Sequence, residues 1–175
     1  MPSIELVPYQ PAFLASFIEW RTQALMVRHN PLKAMSSVEI AQMLASESTD
    51  LARLGKAESF RWFISHDGLV VGSMSLKNVS VSMGYGEIGY GMAEPHQGKG
   101  IATLAVKLLV DKIFTESALR RLIALVHEEN HASRRVLEKV GFQEEGLLRE
   151  HYVINGVPVN EVLYAVLKRN GVADE

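Results

Sequence analysis

A glycine-rich segment stands immediately before the strongest helical pattern in the chain. Residues 97–102 read Gln-Gly-Lys-Gly-Ile-Ala, and apolar residues then repeat at intervals of three and four from Ile101 to Ile113. The first amides of a helix have no intrahelical partner and lie at its positive dipole end, so they attract phosphate oxygens. The segment therefore predicts a cradle for a pyrophosphate that needs no metal ion.

A second string that could do chemistry is His-Glu-Glu-Asn-His at residues 127–131, which matches the zinc-peptidase pattern H-E-x-x-H. Zinc binding requires one helix through both histidines, with Glu150 as a candidate third ligand. However, residues 122–126 are apolar on every side, as is typical of a buried strand, and Asn130 is a favourable helix N-cap. A zinc peptidase through His127 and His131 is kept as the alternative from a different functional class. The competing interpretation is two solvated loop histidines.

Two other glycine patterns are excluded by their context. Residues 84–89 read Gly-Tyr-Gly-Glu-Ile-Gly, but a dinucleotide site needs such glycines between a strand and a helix. Residues 87–92 have a strand pattern instead. A P-loop would need a glycine and a hydroxyl residue at the positions that hold Ala93 and Gly100.

The composition restricts the function further. The 175 residues fit one domain, predicted to span residues 1–175, and the absence of cysteine excludes a thiol nucleophile. The 18 Lys and Arg residues are balanced by 20 Asp and Glu residues without a basic stripe, so no nucleic-acid partner is expected. The sequence contains neither a signal peptide nor the roughly 18 apolar residues of a membrane span, which predicts a cytoplasmic protein without a membrane partner. A homodimer is left open.

Hydrophobic periodicity predicts a mixture of helices and strands. We expect helices at residues 12–24, 37–54, 98–115 and 132–140, and strands at residues 4–7, 60–65, 69–76, 87–92, 122–126, 143–154 and 157–167. Asp67-Gly68 and Asn155-Gly156 are favoured in two-residue hairpin turns. The predicted fold class is α/β (α+β), with a mixed central sheet of about six or seven strands flanked by about four helices.

Two motifs together resemble those of the GCN5-related N-acetyltransferase (GNAT) superfamily. Residues 97–102 match its pyrophosphate loop Q-x-x-G-x-A, and a later motif is matched by Asn130, Ser133, Lys139, Gly141 and Phe142. The sequence is similar in more detail to the ribosomal-protein N-terminal acetyltransferase branch. The segments that carry this likeness are residues 87–90, 136–139, 145–150 and 155–156, with Glu161 and Tyr164.

The resemblance implies direct transfer of an acetyl group from acetyl-CoA, the cosubstrate, to a primary amine, with no metal ion. It also implies a GNAT fold in which the strands at residues 87–92 and 122–126 splay apart around the pantetheine arm. The positions that match the family's cofactor site are Tyr90, Gly91, Met92, Gln97, Gly98, Lys99, Gly100, Ile101, Ala102, Thr103, Asn130 and Ser133.

The resemblance also assigns the groups near the thioester. A backbone N–H at Gly91 or Met92 is expected to stabilise the oxyanion. Gly91 replaces a bulky aromatic residue common in the family, which predicts a wider acceptor pocket. Ser133 occupies the position proposed to protonate the leaving thiolate in the ribosomal branch, whereas the tyrosine that many relatives use is replaced by Leu137.

Three further residues are candidates for deprotonating the amine. Tyr152 matches the position of a carboxylate base on the late strand of the ribosomal branch, while Glu87 and Glu150 are the carboxylates nearest to the expected acceptor side. Glu150 lies two residues before Tyr152, hence on the same predicted strand face. His151 then faces the other way and is a less favoured participant.

The first implied acceptor is the N-terminal α-amine of a protein or peptide. An α-amine has a pKa of about 7.7–8.0, against about 10.4 for lysine, so a weak base or water suffices. The runner-up within the fold is a small-molecule amine such as a polyamine, an antibiotic or an amino acid. A non-catalytic CoA sensor is a third interpretation, suggested by Leu137 and Gly91.

Overall fold

Seven strands form one mixed sheet in the computed structural model, which describes residues 3–30 and 32–169. The strands are β1 (Ile4–Val7), β2 (Phe60–His66), β3 (Leu69–Ser80), β4 (Tyr85–Met92), β5 (Arg121–His127), β6 (Gln143–Ile154) and β7 (Val157–Leu167). The helices are α1 (Leu14–Thr22), α2 (Ala24–His29), α3 (Ser37–Ser46), α4 (Ile101–Glu116) and α5 (His131–Val140). The mixed sheet is as predicted, but the described residues form five helices rather than about four.

The strand order is β1-β2-β3-β4-β5-β7-β6. The pair β4–β5 is parallel, and the other neighbouring pairs are antiparallel. Both predicted hairpin turns are present, with Asp67 and Asn155 in the left-handed region at φ 50° and 49°. Within residues 3–30 and 32–169, none of the helices combines the length and apolar character needed to cross a membrane.

The main core lies between the sheet and the helices α4 and α5. Ala105, Leu109 and Ile113 are fully buried along one side of α4, as the periodicity predicted. Strand β5 alternates between buried residues that face this core and half-buried residues that face away from it. The side of the sheet opposite α4 and α5 is called the second face below.

An aromatic cluster holds α1 and α3 against the second face. Phe63 of β2 is fully buried, and its ring centroid lies between 5.2 and 6.4 Å from those of Tyr9, Phe13, Phe17 and Trp20. Tilted and edge-on aromatic pairs of this kind stabilise a core beyond their buried area. Phe63 therefore anchors the helical layer from which α2 extends.

Strands β4 and β5 diverge soon after they meet. They pair only at Tyr85–Arg121, Gly86–Leu122 and Glu87–Ile123, although β4 continues to Met92 and β5 to His127. The splayed strands that the resemblance implied are therefore confirmed. The gap between them is called the fork.

The predicted helix at residues 12–24 is two helices in the structure. A short 3-10 turn precedes α1, which ends where Gln23 adopts an extended conformation with ψ 142°. The Gln23 side chain accepts a hydrogen bond from the Glu94 N–H at 3.0 Å. The break depends on a partner 71 residues further along the chain, so local periodicity could not show it.

The predicted helix at residues 37–54 is too long. Its start is correct, because Ser36 forms a reciprocal capping box with Glu39. The helix α3 nevertheless ends at Ser46, since Glu47 is extended and its carboxylate accepts hydrogen bonds from Arg61 on β2. A tertiary ion pair therefore ends the helix where the apolar pattern would continue it.

We expect Phe63→Ala to lower the free energy of unfolding by about 3–5 kcal/mol, because it removes the ring that four other aromatic residues contact. Urea unfolding measures this change. Leu69→Ala is the matched control, since Leu69 is largely exposed, and it should change stability by no more than about 0.5 kcal/mol. Similar losses in both variants would contradict the anchoring role of Phe63.

Candidate active site

The loop before α4 has the geometry of an anion cradle. Gly98 and Gly100 have φ values of 71° and 78°, in the left-handed region that favours glycine. Gly100 is the N-cap and supplies no side chain to the amides of residues 101–103. Gln97 Nε2 donates a hydrogen bond to the Met92 carbonyl at 3.0 Å, which fixes the loop against the end of β4. The unpaired amides are therefore presented beside the fork.

A cavity of about 270 Å³ adjoins this loop and lies between the end of β4, the starts of α4 and α5, and α2. Among the positions that match the family's cofactor site, Lys99 does not line it and is exposed. The positions that do are Tyr90, Gly91, Met92, Gln97, Gly98, Gly100, Ile101, Ala102, Thr103, Asn130 and Ser133. The fold thus brings the two sequence motifs to one cavity.

Two cations of α5 also line the cavity, and the sequence analysis did not select Arg135 for any role. Arg135 and Lys139 are four residues apart and so lie on one side of the helix. Both cations follow the predicted N-cap Asn130 on the same helix, and this position is the sequence signal that could have identified them. Helix amides, two cations and a strand gap suit an elongated ligand that carries phosphates, so the residues present fit acetyl-CoA.

Ser133 is held by two neighbours at the cavity wall. Its N–H donates to Asn130 Oδ1 at 3.2 Å, so Asn130 caps α5 as predicted. The Tyr90 hydroxyl lies 2.7 Å from Ser133 Oγ and also donates to the Ser133 carbonyl at 3.0 Å. Burial raises the pKa of Tyr90 to about 12, so this phenol stays protonated near neutral pH. Leu137 is buried in the core, and no sequence signal pointed to the Tyr90–Ser133 contact.

The space beside Gly91 is filled by α2, which corrects the expected widening of the acceptor pocket. A Cβ atom added to Gly91 would lie 2.5 Å from Met26 Cε. Met26 and Asn30 both line the cavity, and Asn30 Nδ2 donates to the Met26 carbonyl at 2.9 Å. The glycine therefore allows α2 to approach β4 closely.

Glu87 lies at the base of the fork and not in the cavity. It is buried, it accepts a hydrogen bond from Asn78 Nδ2 at 2.8 Å, and one carboxylate oxygen lies 3.4 Å from Lys77 Nζ. Its negative charge is therefore compensated by the neighbouring strand β3. The carboxylate of Glu87 therefore points to β3 partners and not to the cavity.

The prediction that Glu150 and Tyr152 share a strand face is wrong. The β6–β7 register shifts between Leu148 and Tyr152, and Glu150 has a φ of 49°. Glu150 is exposed, and its N–H donates to Asn160 Oδ1 at 2.7 Å. The irregularity turns His151 toward β7 instead. Tyr152 is half-buried, and burial raises the pKa of its phenol, with Glu161 the next largest cause.

His151 approaches a buried carboxylate that the sequence analysis used only as part of the resemblance. Its Nδ1 lies 2.7 Å from Glu161 Oε2 on β7. Glu161 is 5% exposed, whereas His151 is exposed. The prediction that His151 faces away from Tyr152 also fails, because the two rings lie side by side with centroids 5.0 Å apart.

The positions of the two histidines contradict the zinc-peptidase alternative. His127 ends β5 and His131 begins α5, so no single helix carries both. The Nδ1 atom of His127 accepts a hydrogen bond from the Glu129 N–H at 3.1 Å, and its ring packs on His29 of α2 at 5.0 Å. Burial lowers the pKa of His29, and His127 contributes in the same direction. Among the residues the structure describes, no three metal-ligating side chains converge, and Glu150 does not join the two histidines.

Residues 3–143 match the family described as Acetyltransferase (GNAT) domain. The chain belongs to the GNAT family. This GNAT chain is 30% identical over 114 residues to spermidine N(1)-acetyltransferase of Escherichia coli, covering 65% of the chain and 61% of that relative. It is 27% identical over 146 residues to the ribosomal-protein-serine acetyltransferase of the same organism, covering 83% and 78%.

The fold is similar to that of Mycobacterium smegmatis RimJ in complex with CoA-disulfide. The TM-score is 0.82 at 28% identity, over 94% of this chain and 81% of that one. The GNAT fold and family predicted from the sequence are thus confirmed. The chain is an acetyl-CoA-dependent N-acetyltransferase of the GNAT type.

We expect Gly91→Phe to destabilise this GNAT domain by about 1–3 kcal/mol, because the new ring overlaps the Met26 methyl group. Met26→Ala in the same chain vacates that space and should restore most of the loss. Urea unfolding of the wild type, both single variants and the double variant gives the coupling free energy. Additive effects of the two substitutions would contradict the close packing of α2 on β4.

Proposed function

We propose that this enzyme acetylates the N-terminal α-amine of a protein or peptide. The observation that carries the proposal is that two buried carboxylates of the second face already have partners. Glu87 is paired with Lys77, and Glu161 is paired with His151. A polyamine carries several ammonium groups and needs several unpaired anions, whereas an N-terminus carries one.

In this proposal, the loop and the fork bind different parts of acetyl-CoA. The amides of residues 98–103 hold the pyrophosphate, and Arg135 and Lys139 add positive charge at the same cavity. The unpaired edge of β4 at residues 90–92 binds the pantetheine arm, and a backbone N–H at Gly91 or Met92 stabilises the oxyanion. Asn130 keeps the start of α5, and hence Ser133, at the cavity wall.

The chemistry balances with one base and one proton donor. The amine nitrogen forms a bond to the acetyl carbon while the carbon–sulfur bond breaks. An ammonium acceptor loses two protons overall, of which one reaches solvent through a base and one ends on the CoA sulfur. Ser133, held by the protonated Tyr90, is the proposed donor to that sulfur; its oxygen takes the second amine proton in exchange, so the serine hydroxyl is restored.

Gly100→Asp should weaken acetyl-CoA binding by about tenfold or more, because it places a negative charge where the pyrophosphate binds. No atom lies within 4 Å of a Cβ added to Gly100, so the protein itself has space for the side chain. Gly100→Asn is the matched control, since it has the same shape and left-handed backbone preference without the charge. Titration calorimetry with acetyl-CoA measures both variants. Equal affinities of the Asp and Asn variants would contradict an anion cradle at this loop.

The acceptor class is tested by CoA release from acetyl-CoA with a panel of amines. We expect a peptide with a free N-terminus to give a kcat/KM at least about tenfold above that of spermidine or an aminoglycoside. The same peptide with a blocked N-terminus and an internal lysine is the control, and mass spectrometry locates the acetyl group. A preference for spermidine would support the small-molecule alternative, and acetyl-CoA binding without transfer to any amine would support the sensor.

A further inference from the structure

We infer that His151, oriented by Glu161, is the base that removes the proton from the acceptor's ammonium group. This inference rests on the proposed function, because it assigns a residue to the acetylation of an amine. It replaces Glu87, Glu150 and Tyr152, which the sequence favoured, with a pair formed across β6 and β7.

The geometry of the pair is that of an oriented imidazole. His151 Nδ1 lies 2.7 Å from Glu161 Oε2, and an ionised carboxylate can only accept a hydrogen bond. Nδ1 therefore carries the hydrogen, and Nε2 keeps its lone pair. A buried carboxylate behind an exposed imidazole holds the ring in one tautomer and stabilises the imidazolium that forms when Nε2 takes a proton.

The pair lies on the second face beside the end of β5, the side to which the proposal assigns the acceptor. Glu161 is directly opposite His127, the last residue of β5, so both side chains are on the second face. The His127 carbonyl accepts a hydrogen bond at 2.8 Å from the N–H of Asn130, which lines the cavity. The His127 ring packs on His29 of α2, the helix that closes the cavity from the same face. In the proposal, the amine approaches the fork from this face, past the imidazole of His151.

The charged side chains that act on the pair are those of Glu87 and Lys77. Burial raises the pKa of Glu161, Glu87 adds to this effect, and His151 and Lys77 oppose it. The His151 ring also lies beside Tyr152, at a centroid distance of 5.0 Å. The surface hollow that contains it is lined by Leu147, Leu148, Arg149, Glu150, His151 and Asn160.

The other candidates are less suited to accept a proton. The carboxylate of Glu87 is paired with Lys77 and accepts a hydrogen bond from Asn78. Tyr152 has a raised pKa and stays protonated, so it cannot act as a base near neutral pH. Glu150 is held by its backbone to Asn160, with its exposed side chain in solvent.

Two protons leave the acceptor nitrogen by different routes. Nε2 of His151 takes one proton from the ammonium group, and the neutral amine then uses its lone pair to form the C–N bond. His151 returns its proton to solvent after turnover. The second proton of the amine ends on the CoA sulfur, as described for Ser133.

The test is the pH dependence of kcat/KM in His151→Gln and Glu161→Gln, with the best acceptor of the panel. We expect His151→Gln to lose about 10²–10³-fold at pH about 6.5 but less than about tenfold above the pKa of the acceptor amine, which then deprotonates without help. Glu161→Gln keeps the imidazole and should show an intermediate loss. The acetyl-CoA affinity of both variants should stay within about twofold of wild type, since neither residue lines the cavity.

Lys112→Gln is the control, because Lys112 lies in the last turns of α4, where it pairs with Glu116, and should leave the profile unchanged. A loss in His151→Gln that is the same at every pH would indicate a structural role and overturn the inference. A wild-type profile in His151→Gln would do so too, while leaving the proposed function intact. A wild-type enzyme that acetylates no amine would overturn the proposed function itself, and the inference with it.

Discussion

The structure depends on the separation of two parallel neighbours, β4 and β5, after Glu87. A parallel pair needs a crossover connection, and here α4 supplies it on the main-core side of the sheet. The start of that helix therefore falls at the end of β4, where the fork is open. Unpaired strand amides and unpaired helix amides meet at one place, and each set needs a ligand to satisfy its hydrogen bonds.

The fork also determines how the second face is arranged. Because β4 and β5 no longer contact each other beyond Glu87, the helix α2 can pack across the opening, with Met26 against Gly91 and His29 against His127. Beyond β5, the strand β7 places Glu161 opposite His127, and β6 places His151 against Glu161. A cosubstrate on one side and an amine on the other would meet at the fork, which suits direct attack without an acyl-enzyme. A chain without cysteine is consistent with that route.

The features predicted correctly from the sequence are those with local causes. Gly98 and Gly100 before a periodic helix, Asn130 as a cap, and Asn155-Gly156 in a hairpin all act within a few residues of themselves. The spacing of the two motifs was enough to predict the family and the loop residues beside the cavity, but not Met26, Asn30 or Arg135, which also line it.

The errors of the sequence analysis have long-range causes. The break at Gln23 depends on Glu94, and the approach of Met26 to Gly91 depends on how α2 lies on the sheet. The irregularity in β6 breaks the strand alternation at Glu150 and brings His151 against Glu161, and no residue type in that segment predicts it. Strand alternation assumes an unbroken register, so a single shift is enough to invalidate a predicted strand face.

The central claim is that the fork and the adjoining loop form one acetyl-CoA site. The most direct measurement is a crystal structure of this protein with CoA bound. We predict the pyrophosphate on the amides of residues 98–103 and the pantetheine arm along the edge of β4 at residues 90–92, with the sulfur near Ser133. CoA bound elsewhere on the protein, with the fork empty, would contradict the account.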